Sequence, residues 1–230
     1  MLGYYDYTVI LTYFSLISAG VGIFLCLSGN GHPYLGVFFL LFCGLCDAFD
    51  GKVARTKRDR TPEQRCFGIQ IDSLSDLVAF GVLPACIGIA MLRISPMFRM
   101  IMHRYPHLWQ KRLFMCALGA VLVLYMLATM IRLAYFNVAE QERQNAETGV
   151  RKYYTGLPVT SASLIFPLVL LMQYVIPADV TAMYFGTAIF TGFAFLSKIR
   201  VKKPGLRGIL IMVAIGAVEC ALVILGEILK

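Results

Sequence analysis

Seven stretches of this chain, residues 7–29, 33–55, 72–92, 113–137, 157–176, 180–198 and 207–229, are each about twenty mostly apolar residues long. A bilayer core about 30 Å thick needs about 20 such residues in a helix to cross it. Only a segment that satisfies its own backbone hydrogen bonds survives there. The pattern therefore predicts an all-α integral membrane protein, a bundle of about six to seven transmembrane helices. The short connection at 177–179 makes the fifth and sixth runs a tight hairpin. Hydrophobic residues make up 59% of the 230 and charged residues only 15%, against about 45–50% and about 25% in soluble domains. A water-soluble fold of this size could not bury that much apolar surface. No long linker, repeat or low-complexity stretch interrupts the chain, so residues 1–230 read as a single polytopic membrane domain. The first run lacks a basic leader and a small-residue cleavage site, and is read as a retained span.

Lys and Arg number 21 against 13 Asp and Glu, a net charge of +8. In a soluble protein such an excess suggests nucleic acid. In this chain it points to loops facing an anionic leaflet or anionic substrates, and no nucleic-acid partner is expected. Lys52, Arg55, Lys57, Arg58, Arg60 and Arg65 fall in 51–71, Arg143, Arg151 and Lys152 in 138–156, and Lys198, Arg200, Lys202, Lys203 and Arg207 in 198–207. With a cytoplasmic N-terminus all three stretches face the cytoplasm, as the positive-inside rule requires. Residues 93–112, with Arg93, Arg99, Arg104, Lys111 and Arg112, then fall outside. They are expected to form an interfacial helix with Phe98, Tyr105 and Trp109 at the headgroups. His103 and His107 lack an apparent third ligand and are read as part of that segment. The Cys43-Gly-Leu-Cys46 pair has no companion pair and is read as packing.

Acidic residues carry the functional signal. Asp47 and Asp50 end the second run, and Asp72 and Asp76 open the third. A carboxylate at such depth is costly unless paired or metal-bound. On a helix Asp47, Asp50, Gly51, Ala54 and Arg55 share one stripe, and Gly68, Asp72 and Asp76 share another at i, i+4, i+8. Two helices joined by a short loop are antiparallel neighbours, so the four carboxylates converge near one membrane face. Their mutual repulsion calls for divalent cations. An all-oxygen donor set favours Mg²⁺, Mn²⁺ or Ca²⁺ over zinc, and a pair of ions can clamp a phosphoryl group. Gly51 and Ala54 leave room for a bulky anion, and Arg55 supplies a fork-shaped phosphate donor.

Asp47-x-x-Asp50-Gly51-x-x-Ala54-Arg55 followed by Gly68-x-x-x-Asp72-x-x-x-Asp76 resembles the signature of the CDP-alcohol phosphatidyltransferase family at all eight of its positions. One departure stands out: twelve residues separate Arg55 from Gly68 where the family's usual gap is eight. Four extra residues are about one helical turn. The resemblance implies that Asp47, Asp50 and Asp72 ligate metal, two Mg²⁺ or Mn²⁺ ions, and that Asp76 shares the metals and acts as general base. It implies that Gly51 and Arg55 contact a CDP-linked lipid, CDP-diacylglycerol, with Thr61 a loop position near the cytidine nucleotide, and that the chain forms a homodimer.

Three further segments, Asp72 to Ala85, Arg132 to Asn137, and Tyr154 to Pro158, are similar to the branch of the family whose acceptor is L-serine. A serine carboxylate wants a cation. Arg132, near the end of the fourth span, is expected to bind it or the lipid phosphate, with Asn137 nearby and Arg151, Lys152, Tyr153 and Tyr154 preceding the fifth span. Rival readings are a glycerol-3-phosphate or inositol-phosphate acceptor, favoured by the basic clusters at 57–60 and 200–207, and a divalent-cation transporter. The expected location is the cell membrane, with the active site facing the cytoplasm.

Overall fold

The computed structural model describes residues 3–4, 6–29, 31–57, 59–105, 107–146, 153–176, 178–202 and 206–228. Arg58, Arg151, Lys152 and Lys203, expected among the basic loops, lie outside the described residues. A short 3₁₀ turn, Tyr7–Val9, leads into α1 (Ile10–Leu27), which is followed by α2 (Pro33–Ala54). One long rod then comprises α3 (Pro62–Asp76), a π-helical segment (Leu77–Val82) and α4 (Leu83–Ile94). Next come α5 (Pro96–Arg104), α6 (Leu108–Ala146), α7 (Ala162–Val175), α8 (Thr181–Leu196) and α9 (Leu206–Ile228). Among the described residues four helical stretches are long and apolar enough to cross a membrane, Tyr7–Leu27, Pro33–Ala54, Pro62–Ile94 and Leu108–Glu142. Three shorter apolar helices accompany them, Val159–Val175, Thr181–Leu196 and Leu210–Leu222. Each of the seven apolar runs thus forms a helix.

The outward faces are as apolar as the core. Ile17, Phe24, Leu124, Phe190 and Phe193 are each more than 60% exposed. Water would not tolerate that coat on a monomer, whereas lipid solvates it. The chain is an integral membrane protein.

Two boundaries differ from expectation. The third span starts ten residues early, because Thr61 caps α3 in a reciprocal box: its hydroxyl accepts from the Gln64 amide at 3.2 Å and the Gln64 side chain accepts from the Thr61 amide at 3.2 Å. Pro62 follows at the first helical position, where its missing N–H costs nothing. Helix α6 has 39 residues, about 58 Å at 1.5 Å per residue, and so outruns the hydrocarbon at its ends. The one sheet feature among the described residues is a pair of three-residue strands, β1 (Tyr153–Thr155) and β2 (Arg200–Lys202), antiparallel with Tyr154 opposite Val201.

Close helix approach depends on small residues. A β-carbon on Gly44 of α2 would collide with the Ser163 side chain of α7. One on Gly36 would strike Cys26 of α1 and Ile87 of α4. Cys43 is buried and donates to the Ser15 carbonyl of α1 at 3.3 Å, so it packs two helices together, as expected. Helix α2 therefore lies against α1 and α4, while it touches α3 little.

The π segment has a local cause. Pro84 carries no N–H, so the Phe80 carbonyl loses its helical partner, and the Leu83 amide reaches back to Val78 instead. Tyr125 of α6 donates to the Phe80 carbonyl at 2.6 Å, and Tyr184 of α8 donates to the Pro84 carbonyl at 2.6 Å. Gly81 admits Thr129 of α6, whose methyl would stand 3.3 Å from a β-carbon there. The π turn lies directly after Asp76.

At the far end of the bundle α5 is a short helix with no buried residue. Its Phe98 stacks on Phe114 of α6 at 6.2 Å, and Trp109 is largely exposed. Asp179, in the α7–α8 turn, accepts from the Ser95 hydroxyl and from the Met97 amide at 3.1 Å, and so ties that turn to the start of α5.

Candidate active site

Asp47 and Asp50 occupy the last two turns of α2, and Asp72 and Asp76 occupy the last two turns of α3. The four side chains converge. Asp50 and Asp72 are within hydrogen-bonding reach of each other, Asp47 interacts electrostatically with Asp72, and Asp76 lies in the field of the other three. Asp76 is the deepest, 8% exposed, while the others are half-buried. The site is therefore a cleft with Asp76 at its floor. Asp50 also accepts from the Gly51 amide, and Ser75 fixes the floor by donating to the Thr12 carbonyl of α1 at 3.2 Å.

Among the described residues no Lys or Arg forms a salt bridge with any of the four acids, and the one ion pair is Lys57–Asp6 at 3.0 Å. No group of three or more acids, histidines or cysteines there is drawn tightly enough to hold an ion as it stands. In the packing, α2 lies on α1, α7 and α4 and makes little contact with α3. The donor set nevertheless suits a hard divalent cation. Two carboxyl groups in hydrogen-bonding range need a proton or a cation between them, all donors are oxygens, and no basic side chain among the described residues supplies the missing charge.

Each glycine of the two stripes carries an arginine. The Arg55 guanidinium lies over Gly51, its nitrogens 3.4 and 3.8 Å from where a β-carbon would stand. The Arg60 guanidinium lies over Gly68, with Nη2 2.5 Å from the corresponding position. Arg60 Nη2 donates to the Gln64 carbonyl at 3.2 Å, while its Nε is buried without a partner. The sequence placed Arg60 in a basic loop. Its seat on Gly68 depends on the turn before Thr61, which spacing alone does not specify.

Of the remaining expected residues, Thr61 is the N-cap of α3. Asn137 Nδ2 donates to Ser73 Oγ at 2.7 Å, which places it on the wall next to Asp72. Arg132 is 5% exposed. Its Nε donates to the Leu157 carbonyl at 3.2 Å and its guanidinium packs 5.4 Å over the Phe136 ring. It therefore faces the turn at Gly156, whose φ of +79° requires glycine. The structure brings the four acids, Gly51, Arg55, Asn137 and Arg60 to one end of the bundle and directs Arg132 toward the 156–157 turn.

A family model described as CDP-alcohol phosphatidyltransferase matches residues 8–194. The chain is 32% identical over 150 residues to the CDP-diacylglycerol–serine O-phosphatidyltransferase of Saccharomyces cerevisiae, covering 64% of this chain and 45% of the relative. It is 25% identical over 191 residues to the protein of that name from Helicobacter pylori, covering 81% and 69%. It is 28% identical over 145 residues to the one from Mycobacterium tuberculosis, covering 62% and 42%. The match thus takes in less than half of the length of the yeast and mycobacterial relatives.

Proposed function

Because the chain belongs to the CDP-alcohol phosphatidyltransferase family, we propose that it transfers the phosphatidyl group of CDP-diacylglycerol to the hydroxyl of L-serine, releasing CMP. The observation that carries this reading is the cleft of four convergent carboxylates without a basic partner among the described residues, flanked by guanidinium groups seated on Gly51 and Gly68. The names of the similar proteins support serine as the acceptor. Residues 1–230 act as a single polytopic membrane domain, with the signature at 47–76.

Asp47, Asp50, Asp72 and Asp76 would hold divalent cations, Mg²⁺ or Mn²⁺ and two in number. Bound there, such ions supply charge neutralisation for the pyrophosphate and the developing phosphoryl transition state. The chain's own residues do the rest. Arg55, whose guanidinium lies over the bare Cα of Gly51, donates its fork to a phosphate. Asp76, deepest in the cleft, takes the proton of the serine hydroxyl. The freed oxygen attacks the β-phosphorus. The bond from that phosphorus to the bridging oxygen breaks, and CMP leaves with that oxygen. Asn137 lines the acceptor side next to Asp72, Arg132 serves the serine carboxylate from the 156–157 turn, and Thr61 neighbours the cytidine. The active end faces the cytoplasm of the cell membrane, and the chain works as a homodimer.

The test is CMP release by the purified full-length protein, given CDP-diacylglycerol, Mn²⁺ or Mg²⁺, and one alcohol at a time. Serine-dependent release is expected. Release only with glycerol-3-phosphate or an inositol phosphate would move the reaction within the family. Ion flux in vesicles without any CMP release would replace the enzyme with a transporter.

A further inference from the structure

We propose that Arg60 binds the pyrophosphate of the CDP-linked lipid as the second guanidinium of the site, together with Arg55; this rests on the transferase reading above. Twelve residues separate Arg55 from Gly68, and Arg60 lies within that stretch. It ends α2 at Ala54, turns, and caps α3 at Thr61. Arg60 immediately precedes the cap, and its side chain folds back along the first turns of α3.

Its guanidinium then occupies the direction in which a side chain at position 68 would point, with Nη2 2.5 Å from that β-carbon position. Position 68 shares its helix face with Asp72 and Asp76 at i+4 and i+8. The guanidinium is therefore seated one helical turn before Asp72 on the acid-bearing face. It forms no salt bridge with a carboxylate among the described residues. Among the described residues its one donated hydrogen bond goes to the Gln64 carbonyl at 3.2 Å, and its Nε is buried without a partner there. A guanidinium has five N–H donors; with Nη2 on the Gln64 carbonyl and Nε buried, Nη1 is the nitrogen left to meet an anion.

Helix α2 carries the matching arrangement. Arg55 lies over Gly51, which shares a face with Asp47 at i+4. The two glycines thus act as seats for two forks, one on α2 and one on α3. A diphosphate has two phosphates, and each fork suits one. Gly68 is required on this view because a β-carbon would displace Arg60, whereas a lone carboxylate ladder would accept alanine there.

The test measures CMP release by the purified full-length protein with Mn²⁺ and serine, taking kcat, KM for each substrate and Tm. Variants are Arg60→Gln, Arg60→Lys, which keeps the charge but loses the fork, and Gly68→Ala, which keeps Arg60 but displaces it. Loss of a charge-assisted hydrogen bond corresponds to about tenfold to a hundredfold. Arg60→Gln is expected to raise KM for CDP-diacylglycerol by that factor, with KM for serine and Tm unchanged. Arg60→Lys should fall between, and Gly68→Ala should reproduce part of the loss. An unchanged KM for CDP-diacylglycerol in Arg60→Gln overturns the proposal, as does a lower Tm with KM unchanged, the mark of a packing role. If Arg60→Gln does not fold, the same comparison with Arg60→Lys decides. Wild-type protein that releases no CMP with any alcohol overturns the transferase reading itself, whereas an active wild type with an indifferent Arg60 overturns only this inference.

Discussion

Asn137 of α6 and Ser73 of α3 are joined by a hydrogen bond of 2.7 Å, which sets the longest helix against the wall that carries Asp72. The bond crosses 64 residues of sequence, and so makes the acceptor side of the cleft depend on the packing of α6. Asn137→Ala should therefore lower kcat/KM for serine more than that for CDP-diacylglycerol. In a double-mutant cycle with Ser73→Ala, thermal unfolding should give a coupling of about 0.5–1.5 kcal/mol. Additive effects would mean that the two side chains act separately.

The π turn after Asp76 is held by Tyr125, whose hydroxyl takes the Phe80 carbonyl that Pro84 leaves without a helical partner. Tyr125→Phe removes the donor and leaves a buried carbonyl unsatisfied, at a cost of about 1–3 kcal/mol. Tm should fall accordingly, and activity should fall with it, because Asp76 is the residue before the π turn. Pro84→Ala restores the missing N–H and is expected to relieve the dependence on Tyr125.

Gly44→Ala tests the closest helix approach. Its β-carbon would run into Ser163, and overpacking of this kind costs about 1–3 kcal/mol. Pairing it with Ser163→Gly should recover most of the lost Tm, since the collision then has no second party. Loss without recovery would place the strain elsewhere.

Outside the spans, the N-terminal turn is pinned over the α2–α3 connection by Asp6 and Lys57. Hydrogen bonding from the Thr8 side chain, against the effect of burial and helped by the Thr8 amide and Lys57, lowers the Asp6 carboxyl from 3.8 to about 2. A depressed carboxyl contributes stability that is complete above the unfolded value and is lost as pH falls through the folded one. Amide exchange at Thr8 should therefore stay slow from pH 8 down to about 4 once corrected for intrinsic rates. Asp6→Asn should accelerate it across that whole range.

The span pattern was readable because bilayer thickness and helical rise leave little freedom: each of the seven apolar runs became a helix. The phase of Asp47, Asp50, Asp72 and Asp76 was readable for the same geometric reason. The start of α3 was also written in the sequence, since Thr61-Pro62-Glu63-Gln64 is a capping box. The apolar run alone hid it, because its first turns are polar. Arg60 and Arg132 were not legible in this way. Both are directed by contacts with backbone turns, at Gln64 and at Leu157, whose positions depend on tertiary packing. The slight contact of α2 with α3 was likewise invisible, because α2 packs on α1, α7 and α4, a matter of which small residues face which helix.

The central claim is that the four carboxylates form one divalent-cation site, and Mn²⁺ binding measures this without reference to turnover. Purified full-length protein titrated with Mn²⁺ and followed by electron paramagnetic resonance should bind the ion at saturable sites. Asp50→Asn and Asp72→Asn should each weaken that binding at least about tenfold, the equivalent of about 1.4 kcal/mol, while leaving Tm for the metal-free protein in place. Mn²⁺ affinity undiminished in both variants would contradict the account.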